Sequence, residues 1–445
     1  MLAHAFPRLS KERTTDVLTA GSDMPLQPHP KLDAKRGVLS GQDIVCFAHE
    51  PWHGPWKAYQ QILSLVAASN RVLYVGPPVS VREVVNGLRT RTMHQPVLER
   101  VNASLLVYHE PRVLVRANGS RPLGRAFNRV VSPLRLAHVR WLARRLGFHA
   151  PILWIFDPMF AHAVGTFRER LVIYHVLDDY VEFVDPAAAA LRSAVARNDG
   201  RLLRQADLVV AVSDRLLEHC LQRNPHSYLV PNGVNYEVFQ NVMARGEIPP
   251  DVRPIPHPII GFVGAIQSHI DWSLLWRLSA RHPEWSLVFV GSEELGADRP
   301  KLEALLAQPN VHYLGRKPVE EVPAYIGCCD VCVMPYHVTK LTAAGDRTKL
   351  YEYLACGRPV VSTDVPSVRR FLPLVRIAGD ADEFVQCVEQ SLAEEPHLRE
   401  ARMAVAREHT WQRRVETLRE IIRPRLRADA AANWEVVHTS RGPSR

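Results

Sequence analysis

The stretch Thr348-Lys349-Leu350-Tyr351-Glu352-Tyr353-Leu354-Ala355-Cys356-Gly357-Arg358-Pro359-Val360-Val361-Ser362-Thr363 contains a complete helix-to-strand transition. Leu350, Tyr353 and Leu354 recur at helical spacing and mark the face that meets a core. Gly357 is the residue type that ends a helix in the left-handed conformation. Pro359 then opens a short run, Val360-Val361-Ser362, that reads as a buried strand. The core face leaves Lys349 and Glu352 as neighbours on another side, near the helix start. A helix N-terminus with a lysine suits a diphosphate, because unsatisfied N–H groups and a cation point the same way. A carboxylate one turn further in can accept from both hydroxyls of a ribose. A Lys–Glu pair three apart is also an ordinary surface salt bridge, so the surroundings decide between the readings.

Outward from this stretch, apolar runs alternate with helix-length segments. Ile44–Ala48, Val72–Val75, Leu105–Tyr108, Ile152–Phe156, Leu171–Val176 and Leu208–Val212 come first, then Ile259–Val263, Leu287–Val290, Val311–Leu314, Val331–Met334 and Pro359–Ser362. Runs apolar throughout belong to parallel sheets covered on both faces, so both series read as doubly wound α/β domains. Between them, residues 249–258 hold five prolines, which sustain neither a helix nor a central strand. The division expected is a disordered lead (1–40), an N-terminal Rossmann-like domain (41–245), a Pro-rich linker (246–258), a C-terminal Rossmann-like domain (259–408), a terminal helix (409–424) and a loose tail (425–445). A chain of 445 residues that is 47% hydrophobic fills two such cores and is neither collagen-like nor disordered. Seven cysteines, mostly within apolar runs, read as packing residues of a reducing compartment. No stretch reaches the ~18 apolar residues of a membrane span, so a cytoplasmic location is expected.

The string from Thr348 resembles the donor-nucleotide motif of GT-B glycosyltransferases, in particular glycosyltransferase family 4 (group 1) enzymes of bacterial cell-surface polysaccharide synthesis. Further segments from Asp43 to Trp411 carry the same resemblance: Ala206–Ser213, Pro231-Asn232-Gly233-Val234 with Phe239, Gly261–Ile266, Asn310–Gly315, Asp330–Pro335 and His409-Thr410-Trp411. The resemblance implies two Rossmann-like domains facing a central cleft, a terminal helix crossing back to the first domain, and a sugar moved from a nucleotide diphosphate. UDP is the donor base expected, with guanine open. It assigns the donor nucleotide to Glu352, Lys349, Arg347, Thr348 and Gly264. Two features depart from the pattern. The glutamate many retaining members carry eight positions before Glu352 is Ala344, and the usual Arg/Lys pair after the first strand of the second domain is replaced by a loop with Gln267, Ser268, His269 and Asp271. A sugar-nucleotide epimerase and a non-catalytic binding protein of the same fold are the alternatives.

Ligands of open α/β sheets bind at the carboxyl ends of strands, so catalytic candidates are sought after the strands of the first series. Asp157, Asp179 and His53 are the catalytic candidates; His49, Trp52, His175 and Asp178 are expected on the acceptor side. Asp157 and Asp179 are also placed as helix caps would be, and His175 as a core histidine. Trp rings of His49–Trp56 can stack on sugar faces. Cys328-Cys329-Asp330-Val331-Cys332 lacks a second ligand pair, and Asp380-Ala381-Asp382 reads as a helix cap, so no metal or cofactor is expected.

The net charge is +9, with 55 basic against 46 acidic side chains, which alone selects no partner. It is unevenly spread: between Glu110 and Asp157 nine arginines occur without an acidic residue, interleaved with Val130, Leu134, Val139, Trp141 and Leu142. The Arg112–Arg145 segment therefore resembles a basic amphipathic surface for anionic phospholipid or a lipid-diphosphate acceptor, giving a peripheral place on the inner membrane face. It matches no nucleic-acid-binding module. The expected partners are a nucleotide-sugar donor and a glycan, lipid-linked or small-molecule acceptor.

Overall fold

The computed structural model describes residues 39–53, 56–79, 96–111, 114, 117 and 122–439, with side chains described to Leu426 in the terminal helix. Most of the lead therefore lies outside the described residues, as do Arg112, Arg116 and Arg121. The chain first builds β1 (Asp43–Phe47), β2 (Arg71–Val75), β3 (Leu98–Arg100), β4 (Leu105–Tyr108), β5 (Ile152–Ile155), β6 (Leu171–Val176), β7 (Leu208–Ala211) and β8 (Ser227–Leu229). These form one sheet in the order β3-β4-β2-β1-β5-β6-β7-β8, parallel except for the β3–β4 pair. Alternate β1 residues serve separate cores: Ile44 and Cys46 face one, Val45 and Phe47 the other. Two-sided burial is why the strand reads as an unbroken apolar run.

A second sheet follows from β9 (Ile259–Val263), β11 (Ser286–Val290), β13 (Val311–Tyr313), β14 (Val331–Met334), β15 (Val360–Thr363) and β16 (Arg376–Ala378), in the order β13-β11-β9-β14-β15-β16. The two-residue strands β10 (Ile266–Gln267) and β12 (Glu293–Glu294) pair beside it. In each sheet the chain winds one way from its first strand and then returns to that strand's other side, the doubly wound pattern. The switch points lie between β1 and β5, and between β9 and β14. Loops leaving these strands therefore diverge and open a crevice, which is where each domain can hold a ligand.

The helix Thr348–Ala355 ends as its sequence predicts: Gly357 has φ +67°, and a Cβ there would meet Arg399 Cγ at 2.6 Å. The last helix runs Trp411–Thr439, so its backbone stays helical into the stretch read as a loose tail. Trp411, Val415, Leu418, Ile422 and Leu426 recur at helical spacing and join the core of the first sheet. The chain thus crosses back, and Gly233 permits the crossing: a Cβ there would lie 2.9 Å from Thr410 C and Trp411 N.

Candidate active site

At the switch point of the second sheet, β9 runs into Gly264, whose φ is +138°. A side chain there would collide with Lys349, since a Cβ would stand 2.8 Å from Nζ. Glycine leaves Lys349 free to lie across the strand end, its ammonium 3.8 Å from the Phe262 ring centroid. Burial, with Arg347 close by, pulls this lysine down to about 7. Burial likewise pushes Glu352 up to about 7, against the pull of Lys349. Arg347, at the N-cap of the helix Thr348–Ala355, lies over the Tyr336 ring, and its Nε and Nη2 are buried with no hydrogen-bond acceptor. His269 shares this corner, where burial and then the charges of Arg347 and Lys349 lower it to about 3 and keep it neutral. Two cations, free guanidinium donors and a helix N-terminus thus converge on one spot, an arrangement that suits an anion with several oxygens.

Thr348 and Glu352 line an adjoining cavity of about 50 Å³. Val238, Phe239, Val319 and Val322 are among its apolar lining, and Trp56, Lys57 and Gln61 of the first domain close it from across the cleft. The five donor-side candidates therefore gather in one place. Tyr336 and His269 complete the corner, and only their position beside the strand ends, supplied by the fold, reveals them.

The switch point of the first sheet holds a larger cavity of about 300 Å³, with an apolar floor that includes Phe47, Val75, Val139 and Phe160. His49, Asp157, His162 and the ion pair of Glu110 with Arg135 supply its polar groups. Asp157 caps the turn that begins at Pro158, accepting from Met159 N at 2.8 Å, and also lines the cavity, so the cap and the site coincide. Burial raises Glu110 to about 7 despite Arg135.

The remaining candidates separate. His175 points into the sheet: it is fully buried, stacks on Phe156, and its Nδ1 accepts from Trp154 Nε1 at 3.4 Å. Burial drives it to about 3, so it is a neutral core histidine with no acceptor-side role. Trp52 is buried against Tyr74 and Trp56 and packs the loop instead of presenting a face to a sugar. His53 turns to Glu99 at 2.7 Å and does not line the cavity. Asp179 accepts from the backbone N–H groups of Val181 and Glu182, the occupation of a turn cap. Asp178 is the partner that feels Arg347 across the cleft, and burial holds it at about 6.

A cross-domain junction had no clear signal in the sequence. The buried Asp346 accepts from Asn232 N at 2.7 Å and from Tyr351 Oη at 2.9 Å, while Asn232 Nδ2 donates to Asp346 O. Arg414 donates to Asn232 O, and Ser213 Oγ donates to Ala344 O at 2.6 Å.

Residues 257–394 match the family model of glycosyl transferases group 1. TuaH of Bacillus subtilis, a glycosyltransferase named for teichuronic acid biosynthesis, is 27% identical over 276 residues, 58% of this chain and 68% of its own. The solved α,α-trehalose 6-phosphate synthase of Burkholderia multivorans superposes with a TM-score of 0.65 at 14% identity, over 88% of this chain and all of its own. HepE of Anabaena, solved in complex with UDP, gives 0.58 at 15% identity over 86% and 99%. The fold is GT-B, and the chain is a glycosyltransferase. In this glycosyltransferase Ala344, eight positions before Glu352, is 1% exposed and packs into the first domain's core, so it is part of the domain contact.

Proposed function

We propose that this glycosyltransferase takes its sugar from a UDP-sugar. Arg347, Lys349 and the N-terminus of Thr348–Ala355 hold the diphosphate, Glu352 accepts from the ribose hydroxyls, and Val319 and Val322 flank the base. The observation that carries this reading is the buried Arg347 guanidinium, with two nitrogens lacking an acceptor beside Lys349. A buried donor without a partner is costly, and phosphate oxygens supply what it lacks. The names of HepE in complex with UDP and of an Escherichia coli enzyme bound with UDP-2-fluoro glucose support the choice of base. Fixed cations at the diphosphate take the place of a bridging ion, so donor binding is metal-independent.

The acceptor occupies the cavity at Asp157 and His49. In the transfer, the bond from the sugar's anomeric carbon to the diphosphate breaks, the acceptor oxygen bonds to that carbon, and UDP leaves with the electron pair. The hydroxyl's proton passes to a carboxylate of the cleft, with Asp157 favoured by its place in the cavity. The helix Pro122–Arg145 borders this cavity and exposes Leu123, Phe127, Val130, Leu134 and Trp141 at helical spacing, with Arg129, Arg144 and Arg145 also exposed. Such a face suits the headgroup boundary of an anionic bilayer, which favours a lipid-linked acceptor in cell-surface polysaccharide synthesis.

UDP release from a panel of UDP-sugars, with membrane lipid extract as acceptor, tests the reaction. One sugar should give acceptor-dependent release that Asp157→Asn lowers by about 10²–10⁴. Release unaffected by this substitution would remove Asp157 from the mechanism. Flotation with phosphatidylglycerol vesicles tests the surface: binding should fall in Val130→Glu/Leu134→Glu, and equal flotation of both proteins would refute membrane docking through this helix.

A further inference from the structure

His53, Glu99 and His109 converge although they come from three separate places: the loop after β1, the edge strand β3, and the residue following β4. His53 Nε2 lies 2.7 and 2.9 Å from the two Glu99 carboxylate oxygens, and His109 Nε2 lies 2.7 Å from Oε2. The imidazole planes are within 10° of parallel, with centroids 6.4 Å apart, so both rings present the same edge to one carboxylate. Among the described residues this is the group of three whose ligand atoms all approach within 4.8 Å of one another. The antiparallel pairing sets two of the three: Glu99 sits opposite Val107, and His109 N donates to Val97 O at 2.9 Å. A tetrahedral zinc ion with bonds of about 2.0–2.2 Å keeps its ligand atoms roughly 3.3 Å apart, a separation that lies between the 2.7–2.9 Å of the histidine–carboxylate contacts and the 4.8 Å within which all three ligand atoms fall.

We propose that His53, Glu99 and His109 form a Zn²⁺ site on the acceptor-side domain, separate from the donor site. Two imidazoles and one carboxylate suit zinc, whereas Mg²⁺ and Ca²⁺ prefer all-oxygen ligand sets. His53 is 37% exposed at its side chain, which leaves the fourth position facing outward for water. The ion joins the loop after β1 to the β3–β4 edge. That loop carries His49, which lines the larger cavity, and leads to Trp56 and Lys57 at the smaller one, while Glu110 follows directly on His109. Zinc therefore orders the wall of the acceptor cavity and takes no part at the diphosphate.

Calorimetric titration of ZnSO₄ into the EDTA-stripped, dialysed full chain tests the site. One equivalent should bind saturably, MgCl₂ should give no heat of binding, and His109→Ala and His53→Ala should each weaken zinc by at least about 10–100-fold, the usual loss when even an outer partner of a metal site is removed. Co²⁺ loaded in place of zinc should give a visible d–d spectrum that both variants lose. Circular dichroism of the variants distinguishes a lost ligand from a lost fold, and Glu99→Gln, which preserves shape, should weaken binding in the same way. Absence of saturable zinc binding, or equal affinity in wild type and the histidine variants, would overturn the proposal.

Discussion

Lys349 and Glu352 are placed where charge is costly without a ligand, and the cost can be read against pH. Lys349 sits at about 7 in the folded protein against an ordinary 10.5, so between these values the unfolded chain binds more protons and stability rises with pH. Glu352 sits at about 7 against an ordinary 4.5, so between those values the folded protein binds more protons and stability falls as pH rises. The free enzyme should therefore show a shallow stability minimum near pH 7, measurable as thermal midpoint across pH 5–9. Glu352→Gln should flatten the acid limb and raise the midpoint at pH 7 by roughly 2–4 °C, about 1 kcal/mol in a domain of this size, while abolishing UDP binding. UDP affinity should fall above about pH 7 as Lys349 loses its proton, and Lys349→Arg, which does not deprotonate, should remove that decline. A decline of equal steepness in Lys349→Arg would assign it to another group. These two residues were singled out because the string around them resembles a donor-nucleotide motif; their spacing alone fits a surface salt bridge equally well. His175 was not, since a buried polar residue within an apolar run looks the same from the sequence whether it faces a cleft or a core.

The helix Thr348–Ala355 and β9 form the element pair on which the proposed donor site stands. Tyr353 Oη donates to Val263 O at 3.0 Å and accepts from Val263 N at 2.9 Å, which holds the strand end just before Gly264. Tyr353→Phe should cost about 1–3 kcal/mol in urea unfolding, because it leaves buried backbone groups unpaired. Gly264→Ala should leave the fold standing but displace Lys349 and lower UDP affinity; unchanged affinity would mean that Lys349 does not reach the ligand from this position. The long strands were legible from two-sided burial. The short β3, β8 and β16 were not: each is three residues long, and β3 and β16 are only partly buried, so no apolar run marks them. The helix Pro122–Arg145 was legible as a basic amphipathic segment, yet Arg135 turns inward to Glu110, a pairing that depends on how the helix lies across the sheet.

At the scale of the whole molecule, the two domains meet through Asp346, Asn232, Arg414 and the crossing at Gly233, contacts that join residues more than a hundred positions apart and so leave no local pattern. Gly233→Ala places a Cβ against the backbone of Thr410 and Trp411 and should force the terminal helix to shift, at about 1–3 kcal/mol. The expected sign is a lowered thermal midpoint together with a larger radius of gyration in solution scattering, and an unchanged radius would show that the crossing does not set the domain arrangement. Holding the domains in register brings Asp178 within reach of Arg347's charge and sets Trp56 and Lys57 opposite Glu352, so this junction is what turns two half-sites into one cleft. The proposed nucleoside-diphosphate site rests on Arg347, Lys349 and Glu352. Calorimetric titration of UDP, GDP and ADP into the wild type with and without EDTA, repeated on Arg347→Ala, Lys349→Ala and Glu352→Ala, tests it most directly. UDP should bind with the same affinity in EDTA and fail to bind the three variants; absence of binding to the wild type, or full affinity in the variants, would contradict it.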